Sequence, residues 1–118
     1  MNRLALLEFL EHGLRYVFPA RPGNVKRGVP TAHSGPILSA EIDRDGGAYV
    51  WASPNGTVRG REIEPLVPRA SELPERSPRT YEALSLVDAL RVGRAREREL
   101  AGRALRERFK AGPAHLVL

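Results

Sequence analysis

Proline and glycine are concentrated in the middle of this 118-residue chain, and their distribution limits where long helices can form. The sequence has ten prolines and eleven glycines, and most of them lie between Pro19 and Pro78. Proline removes a backbone donor and glycine favours turns, so this middle region is expected to hold turns and short elements. Helices are then left for the two ends. The pattern predicts a mixed α+β fold in one domain over residues 1–118.

The N-terminal segment predicts a short helix followed by a strand. Asn2 suits an N-cap, residues 3–12 carry a broad apolar stripe at helical spacing, and Gly13 is placed to end the helix. From Leu14 to Phe18 the side chains alternate between the two sides of an extended chain, which indicates a half-buried strand that Pro19 stops. The order predicted here is helix and then strand.

The middle region predicts a long loop and a β-hairpin. Residues 21–36 show little periodicity and are expected to cross the surface as an irregular loop, and a turn is expected at 43–47. The segments 48–51 and 57–64 flank Ser53-Pro54-Asn55-Gly56, whose proline and Asn-Gly pair predict a tight turn. We therefore expect these two segments to pair as the strands of a hairpin.

Two helices are predicted at the C-terminal end, after a proline-rich segment at 65–78 that is expected to be extended. Ser77-Pro78 suits an N-cap and a first helical position, and apolar residues then recur at helical spacing until Gly93. A second helix, with one apolar face, is predicted over Arg94–Lys110. We expect the two to pack as an αα-hairpin rather than as one kinked helix, followed by a loose or strand-like tail at 113–118.

Composition and motifs exclude several kinds of site. The chain has no cysteine, so disulfides, thiolate zinc sites and cysteine nucleophiles are excluded, and a reducing cytoplasm is the expected compartment. The three histidines lack metal-binding spacing, and no phosphate-binding glycine motif or paired acid and base is present. We therefore expect neither an enzyme nor a bound cofactor or metal. No apolar run approaches the roughly 18 residues that span a bilayer, so no membrane partner is expected.

Positive charge is concentrated in residues 91–110, which contain eight basic and three acidic residues and so account for the formal net charge of +5. Such a helix is either a solvated surface or a surface that contacts phosphates. The second interpretation makes the arginines candidate contacts for DNA phosphates. The candidates are Arg94, Arg96, Arg98, Arg103 and Arg106.

A second set of residues points to a protein partner. Tyr81 and Leu84 on the first C-terminal helix are expected to form an apolar patch with an arginine rim. Trp51 has two interpretations, a plug of the core or a side chain that stacks on a base or a partner. The alternative function is thus a module that binds another protein, such as an antitoxin-like partner of a neighbouring enzyme. A small-molecule sensor with a pocket under residues 21–36 is a further alternative.

Three blocks of the sequence resemble a poorly characterised group of small bacterial proteins. They are LLEFLEHGLRYVFPA at 6–20, RGVPTAH at 27–33 and LVDALRVGRARER at 86–98. In that group the blocks look like the C-terminal half of a MarR-like winged-helix transcriptional regulator. The resemblance implies the effector or dimerisation part of such a regulator, acting as a homodimer. Because nothing before Leu4 leaves room for a helix-turn-helix, we expect contacts with DNA phosphates and no sequence-specific groove reading.

Overall fold

The computed structural model describes residues 2–40 and 47–111 and confirms the mixed α+β fold. Its elements, in chain order, are α1 (Arg3–His12), α2 (Leu14–Val17), β1 (Val25–Pro30), β2 (Tyr49–Ala52), β3 (Val58–Glu62), α3 (Leu73–Arg76), α4 (Pro78–Val92) and α5 (Ala95–Ala111). Short 3-10 turns occur at Ala32–Ser34, Leu38–Ala40 and Ala70–Glu72. The predicted turn that begins at Asp43 and the predicted tail at 113–118 lie outside the described residues.

The predicted N-terminal helix is confirmed as α1. The side chain of Asn2 accepts a hydrogen bond from the backbone N–H of Ala5 at 3.0 Å, which satisfies a donor that the first turn would leave unpaired. At the other end, the N–H of Gly13 donates to the carbonyl of Phe9 at 2.8 Å. Leu7 is the buried residue of this helix.

The strand predicted at Leu14–Phe18 is wrong, because this segment forms the short helix α2. The N–H of Phe18 donates back to the carbonyl of Leu14 at 2.8 Å, which closes a helical turn. Only Leu14 is buried in α2, while Tyr16, Val17 and Phe18 are exposed. The alternating pattern therefore did not mark a half-buried strand. The predicted strand of the N-terminal region lies later in the chain, at β1.

The loop predicted over residues 21–36 is also wrong, since it contains β1 and a 3-10 turn. The second half of β1 pairs antiparallel with β2, and its first half pairs antiparallel with β3, so that Gly28 lies opposite both Ala52 and Val58. Three of the first four residues of β1 are exposed, and the strand contains lysine, arginine and glycine and ends in proline. This composition hides the apolar alternation by which a strand is usually recognised.

The two strands of the predicted hairpin are present, but they do not pair as a hairpin. The turn at Ser53–Gly56 is closed by a hydrogen bond of 3.1 Å from the N–H of Gly56 to the carbonyl of Ser53. Because β1 lies against both strands, the chain passes from one edge of β1 to the other, and β2 and β3 run parallel. The three strands thus close on one another. At Gly60 a Cβ atom would lie 2.5 Å from the carbonyl oxygen of Ala48, so only glycine allows this approach.

The two predicted C-terminal helices are confirmed as α4 and α5, and they pack as an αα-hairpin. α4 is the central helix, since ten of its fifteen residues are buried, and α5 turns its predicted apolar face inward through Ala101 and Leu105. The segment before them is not fully extended as predicted, because it contains a 3-10 turn and α3. Ser77 occupies the predicted N-cap position, but its hydroxyl bonds to that of Thr80 at 2.7 Å rather than to the helix backbone.

A buried polar network fixes α4 to the sheet and to α2. The carboxylate of Asp88 accepts hydrogen bonds from the hydroxyl of Thr31 at 2.8 Å, the indole N–H of Trp51 at 2.7 Å and the guanidinium of Arg91 at 2.8 Å. Arg91 also donates to the carbonyl of Phe18 at 3.0 Å, which anchors the end of α2. Within residues 2–40 and 47–111, none of the helices combines the length and apolar character needed to cross a bilayer.

Candidate nucleic-acid interface

α1 and α2 face α5 across an open cleft of about 530 Å³. Three arginines in its walls stand against two carboxylates, so the lining carries an excess of one positive charge. We call this site the basic cleft. It is defined by Glu11, His12, Arg15, Tyr16, Arg98, Glu99, Gly102 and Arg106.

Two of the five predicted phosphate-contacting arginines lie in the basic cleft. Arg98 donates to the carbonyl of Gly93 at 2.7 Å, which fixes its side chain beside the end of α4. Arg106 forms an ion pair with Glu11 of α1, whose side chain is 17 % exposed. Position 102 lies under this pair, where a Cβ atom would be 2.8 Å from the Oε1 atom of Glu11. Glu11 therefore lies against the backbone of α5 and partly neutralises one side of the cleft.

The other three predicted arginines lie on the exposed surface of α5 or at its start. Arg103 forms an exposed pair with Glu99 at 3.4 Å. Arg94 and Arg96 are exposed, and no carboxylate of the described part of the chain pairs with their side chains. Both are therefore available to contact an anion.

The far end of α5 is neutralised by carboxylates. Arg108 pairs with Glu82 of α4 at 2.7 Å, and Lys110 pairs with Glu107 at 3.7 Å. The arginine-rich segment is thus not uniformly positive along its length. Its available charge lies in the first half of α5 and in the basic cleft.

The end of α2 exposes an aromatic and apolar surface at the edge of the basic cleft. Tyr16, Val17 and Phe18 are 71 %, 59 % and 49 % exposed. The guanidinium of Arg15 lies 4.8 Å from the centre of the Tyr16 ring and donates to the Tyr16 hydroxyl at 2.7 Å. Sequence reasoning missed this surface, because the same residues were assigned to a half-buried strand. The signal was present as an arginine beside a tyrosine.

The three predicted partner-binding residues lie together, but two of them point into the core. Trp51 is 2 % exposed and Leu84 is 8 % exposed, and both belong to one buried cluster with Ala70. The core interpretation of Trp51 is therefore the one that the structure supports. The hydroxyl of Tyr81 donates to the carbonyl of Pro30 at 2.7 Å, and burial raises the pKa of Tyr81 to about 12. Partner binding at these residues stays a prediction.

A second arginine-bearing surface lies on the sheet. Arg27 of β1 and Arg59 of β3 are exposed and stand directly opposite each other in the antiparallel pairing. Like charges in this arrangement destabilise a sheet, so an anion would be favourable there. Neither arginine lines the basic cleft, which makes this surface a separate alternative.

Two further features bear on the alternative functions. A smaller open cleft of about 390 Å³ lies between β1, the turn at 53–57 and the region of α3, and no histidine lines it.

His33 lies elsewhere, and its imidazole is bonded through Nε2 to the carbonyl of Gly47 at 2.9 Å. Its Nδ1 atom and the hydroxyl of Ser85 are buried without a partner in the described part of the chain. Among these residues no group of three or more histidines and carboxylates is placed to hold a metal.

Comparison with known proteins found no match: no protein-family model fits the chain, and no curated protein or solved structure is detectably similar to it.

Proposed function

We propose that this protein is a regulatory binding protein that contacts DNA phosphates, without sequence specificity, through the basic cleft. The observation that supports this most directly is the position of Arg98 and Arg106. Both were singled out from sequence alone, and both line one concave surface with Arg15 and His12. A concave surface with an excess of cations brings several of them within reach of one phosphate chain.

The available groups suit a phosphate backbone better than a single small anion. Arg94 and Arg96 at the start of α5 continue the positive surface beyond the cleft, and neither is neutralised by a carboxylate of the described residues. Guanidinium groups bind phosphate oxygens with paired donors, and each contact releases counterions from the nucleic acid. Affinity is therefore expected to fall steeply with salt and to depend little on sequence.

The proposal is tested by fluorescence anisotropy with labelled DNA strands of unrelated sequence, between about 50 and 200 mM salt. We expect Arg98→Gln to weaken binding and to lower the slope of log affinity against log salt by about 0.7 to 0.9. Arg106→Gln should weaken binding with a smaller change in slope, because Arg106 is already paired with Glu11. Arg108→Gln is the matched control. It removes the same charge from the same helix, but Arg108 is paired with Glu82 and does not line the cleft.

Arg59→Gln distinguishes the basic cleft from the sheet surface. If Arg59→Gln weakens binding and the cleft variants Arg98→Gln and Arg106→Gln do not, DNA binds at the sheet surface and not at the basic cleft. If the unaltered protein binds no DNA at the lowest salt concentration, the proposed function is wrong. Strong preference for one sequence would also contradict it, because contacts with phosphates alone carry no sequence information.

A further inference from the structure

We infer that the nucleic acid taken by the basic cleft is single-stranded, and that Tyr16 is the platform on which one of its bases stacks. This inference rests on the proposed function, since it names the kind of nucleic acid that the same site binds. Its basis is the juxtaposition of a highly exposed aromatic ring with the arginines of the cleft.

The exposure of Tyr16 is the first observation. Tyr16 is 71 % exposed as a residue, and Val17 and Phe18 extend the exposed run to three consecutive residues. Single exposed apolar side chains are ordinary, whereas a contiguous exposed patch marks an interaction surface. The patch adjoins a charged cleft, so its occupant must offer both an apolar face and negative charge. A nucleic-acid strand with free bases offers both.

The second observation is that the platform is held in place before any ligand arrives. Leu14 anchors α2 in the core with 3 % exposure, and the N–H of Phe18 donates to the Leu14 carbonyl. From the other side, Arg91 donates to the Phe18 carbonyl at 3.0 Å. Because the backbone on both sides of Tyr16 is fixed, a base that stacks there does not have to order a loose segment.

The charge beside the ring is the third observation. The guanidinium of Arg15 lies over one face of the Tyr16 ring, 4.8 Å from the ring centre, and donates to the Tyr16 hydroxyl. A base would stack on the opposite face, with this cation directly behind the ring. A strand whose base stacks on Tyr16 places its phosphate near Arg15 and the cleft arginines. Two residues further on, the half-exposed ring of Phe18 offers a second apolar face.

Duplex DNA cannot use this arrangement in the same way. Its bases are already stacked inside the helix and present only their edges in the grooves, so a duplex would meet the cleft through phosphates alone. A single strand uses the arginines and the rings together, and stacking on an aromatic side chain tolerates any base. The structure therefore favours a single strand with little sequence preference.

The test compares three ligands of equal length: a single-stranded oligothymidylate, an abasic single strand with the same phosphate backbone, and a blunt duplex. For the unaltered protein we expect the thymidylate strand to bind about tenfold more tightly than the abasic strand. Tyr16→Leu should remove most of that difference, by weakening the binding of the thymidylate strand towards that of the abasic strand. Tyr16→Phe should keep it, because the ring remains.

Tyr16 is largely exposed, so both variants are expected to unfold at the temperature of the unaltered protein, which circular dichroism checks. Equal binding of the thymidylate and abasic strands by the unaltered protein would overturn the stacking role and leave phosphate binding intact. Tighter binding of the duplex would overturn the preference for single strands. If the unaltered protein binds none of the three ligands, the proposed function itself is contradicted.

Discussion

Asp88 and Arg91, which lie one turn apart on α4, form an ion pair at 2.8 Å in which their side chains are only 2 % and 4 % exposed. Burial raises the pKa of the Asp88 carboxyl, and hydrogen bonds from Thr31 and Arg91 oppose that rise. The pair joins the sheet, through Thr31 and Trp51, to the end of α2 at Phe18. The surface proposed to bind nucleic acid therefore depends on a polar group in the centre of the fold.

Asp88→Asn is expected to destabilise the protein by about 3–5 kcal/mol, because it leaves the guanidinium of Arg91 buried without a counter-charge. An amide also has one oxygen, whereas both carboxylate oxygens of Asp88 accept from donors. Urea denaturation measures the change. Glu72→Gln is the control, since it removes the same charge from the exposed pair with Arg69, and it should leave the midpoint unchanged. Equal midpoints for Asp88→Asn and the unaltered protein would contradict a central role for the pair.

The titration of Tyr81 provides a prediction with a definite sign. Burial raises the pKa of this phenol to about 12 in the folded protein, against about 10 in an unfolded chain. The folded state then holds the proton more tightly than the unfolded state between these two values. The stability that this difference in pKa contributes is therefore fully present below about pH 10, and it is lost as the pH rises towards 12.

The near-ultraviolet absorbance of tyrosinate, followed with pH, should show one late step near pH 12 that is absent from Tyr81→Phe. The same variant loses the hydrogen bond to the Pro30 carbonyl, so a loss of about 1 kcal/mol of stability is expected below that pH. If the absorbance change of the native protein were complete near pH 10, the Tyr81 phenol would not be buried and hydrogen-bonded to Pro30 as described.

The helices could be predicted from sequence because their signals are local. Asn2 and Gly13 bound α1, Ser77-Pro78 opens α4, and Gly93 ends it, as expected from capping and spacing. The arginines of α5 were identified for the same reason. The ion pairs that neutralise two of them could not be predicted, because Glu11 and Glu82 come from other helices. They meet Arg106 and Arg108 only in the folded chain.

The sheet was predicted poorly because its pairing is not local. β1 has charged residues, a glycine and a proline where a strand usually alternates apolar and polar residues, so the sequence pattern predicts a loop there. Without it, β2 and β3 had no partner other than each other, and an antiparallel hairpin was the simplest pairing. At Leu14–Phe18 the alternation was real, but the rings it placed on one side face solvent. The exposed aromatic surface at the end of α2 is therefore not apparent from the sequence.

Glu11→Gln is expected to strengthen DNA binding. The carboxylate of Glu11 is paired with Arg106 inside the basic cleft, so it competes with a phosphate for the same guanidinium. Removing its charge frees one cation, which should raise affinity several-fold at low salt and steepen the salt slope by about 0.7 to 0.9. Glu107→Gln is the control, because it removes an equal charge from the exposed pair with Lys110. An equal gain in both variants would mean that net charge alone, and not the cleft, controls binding.

Gly102→Ala tests the same contact without changing any charge. Alanine favours a helix interior by about 1 kcal/mol over glycine, so α5 itself should be stabilised. The added methyl group would however lie 2.8 Å from the Oε1 atom of Glu11, and the flexible end of that side chain must move away. We expect the displaced carboxylate to release Arg106 and raise affinity for DNA, while thermal unfolding occurs at an unchanged or higher temperature.

The double variant Gly102→Ala with Glu11→Gln separates this mechanism from a general effect on the helix. Both substitutions act on the pair between Glu11 and Arg106, so their effects on DNA affinity should not add, and the double variant should bind about as tightly as Glu11→Gln alone. Anisotropy titrations of the four proteins at one low salt concentration measure this. Full additivity, or weaker binding by Gly102→Ala than by the unaltered protein, would show that Glu11 does not restrain the cleft through Arg106.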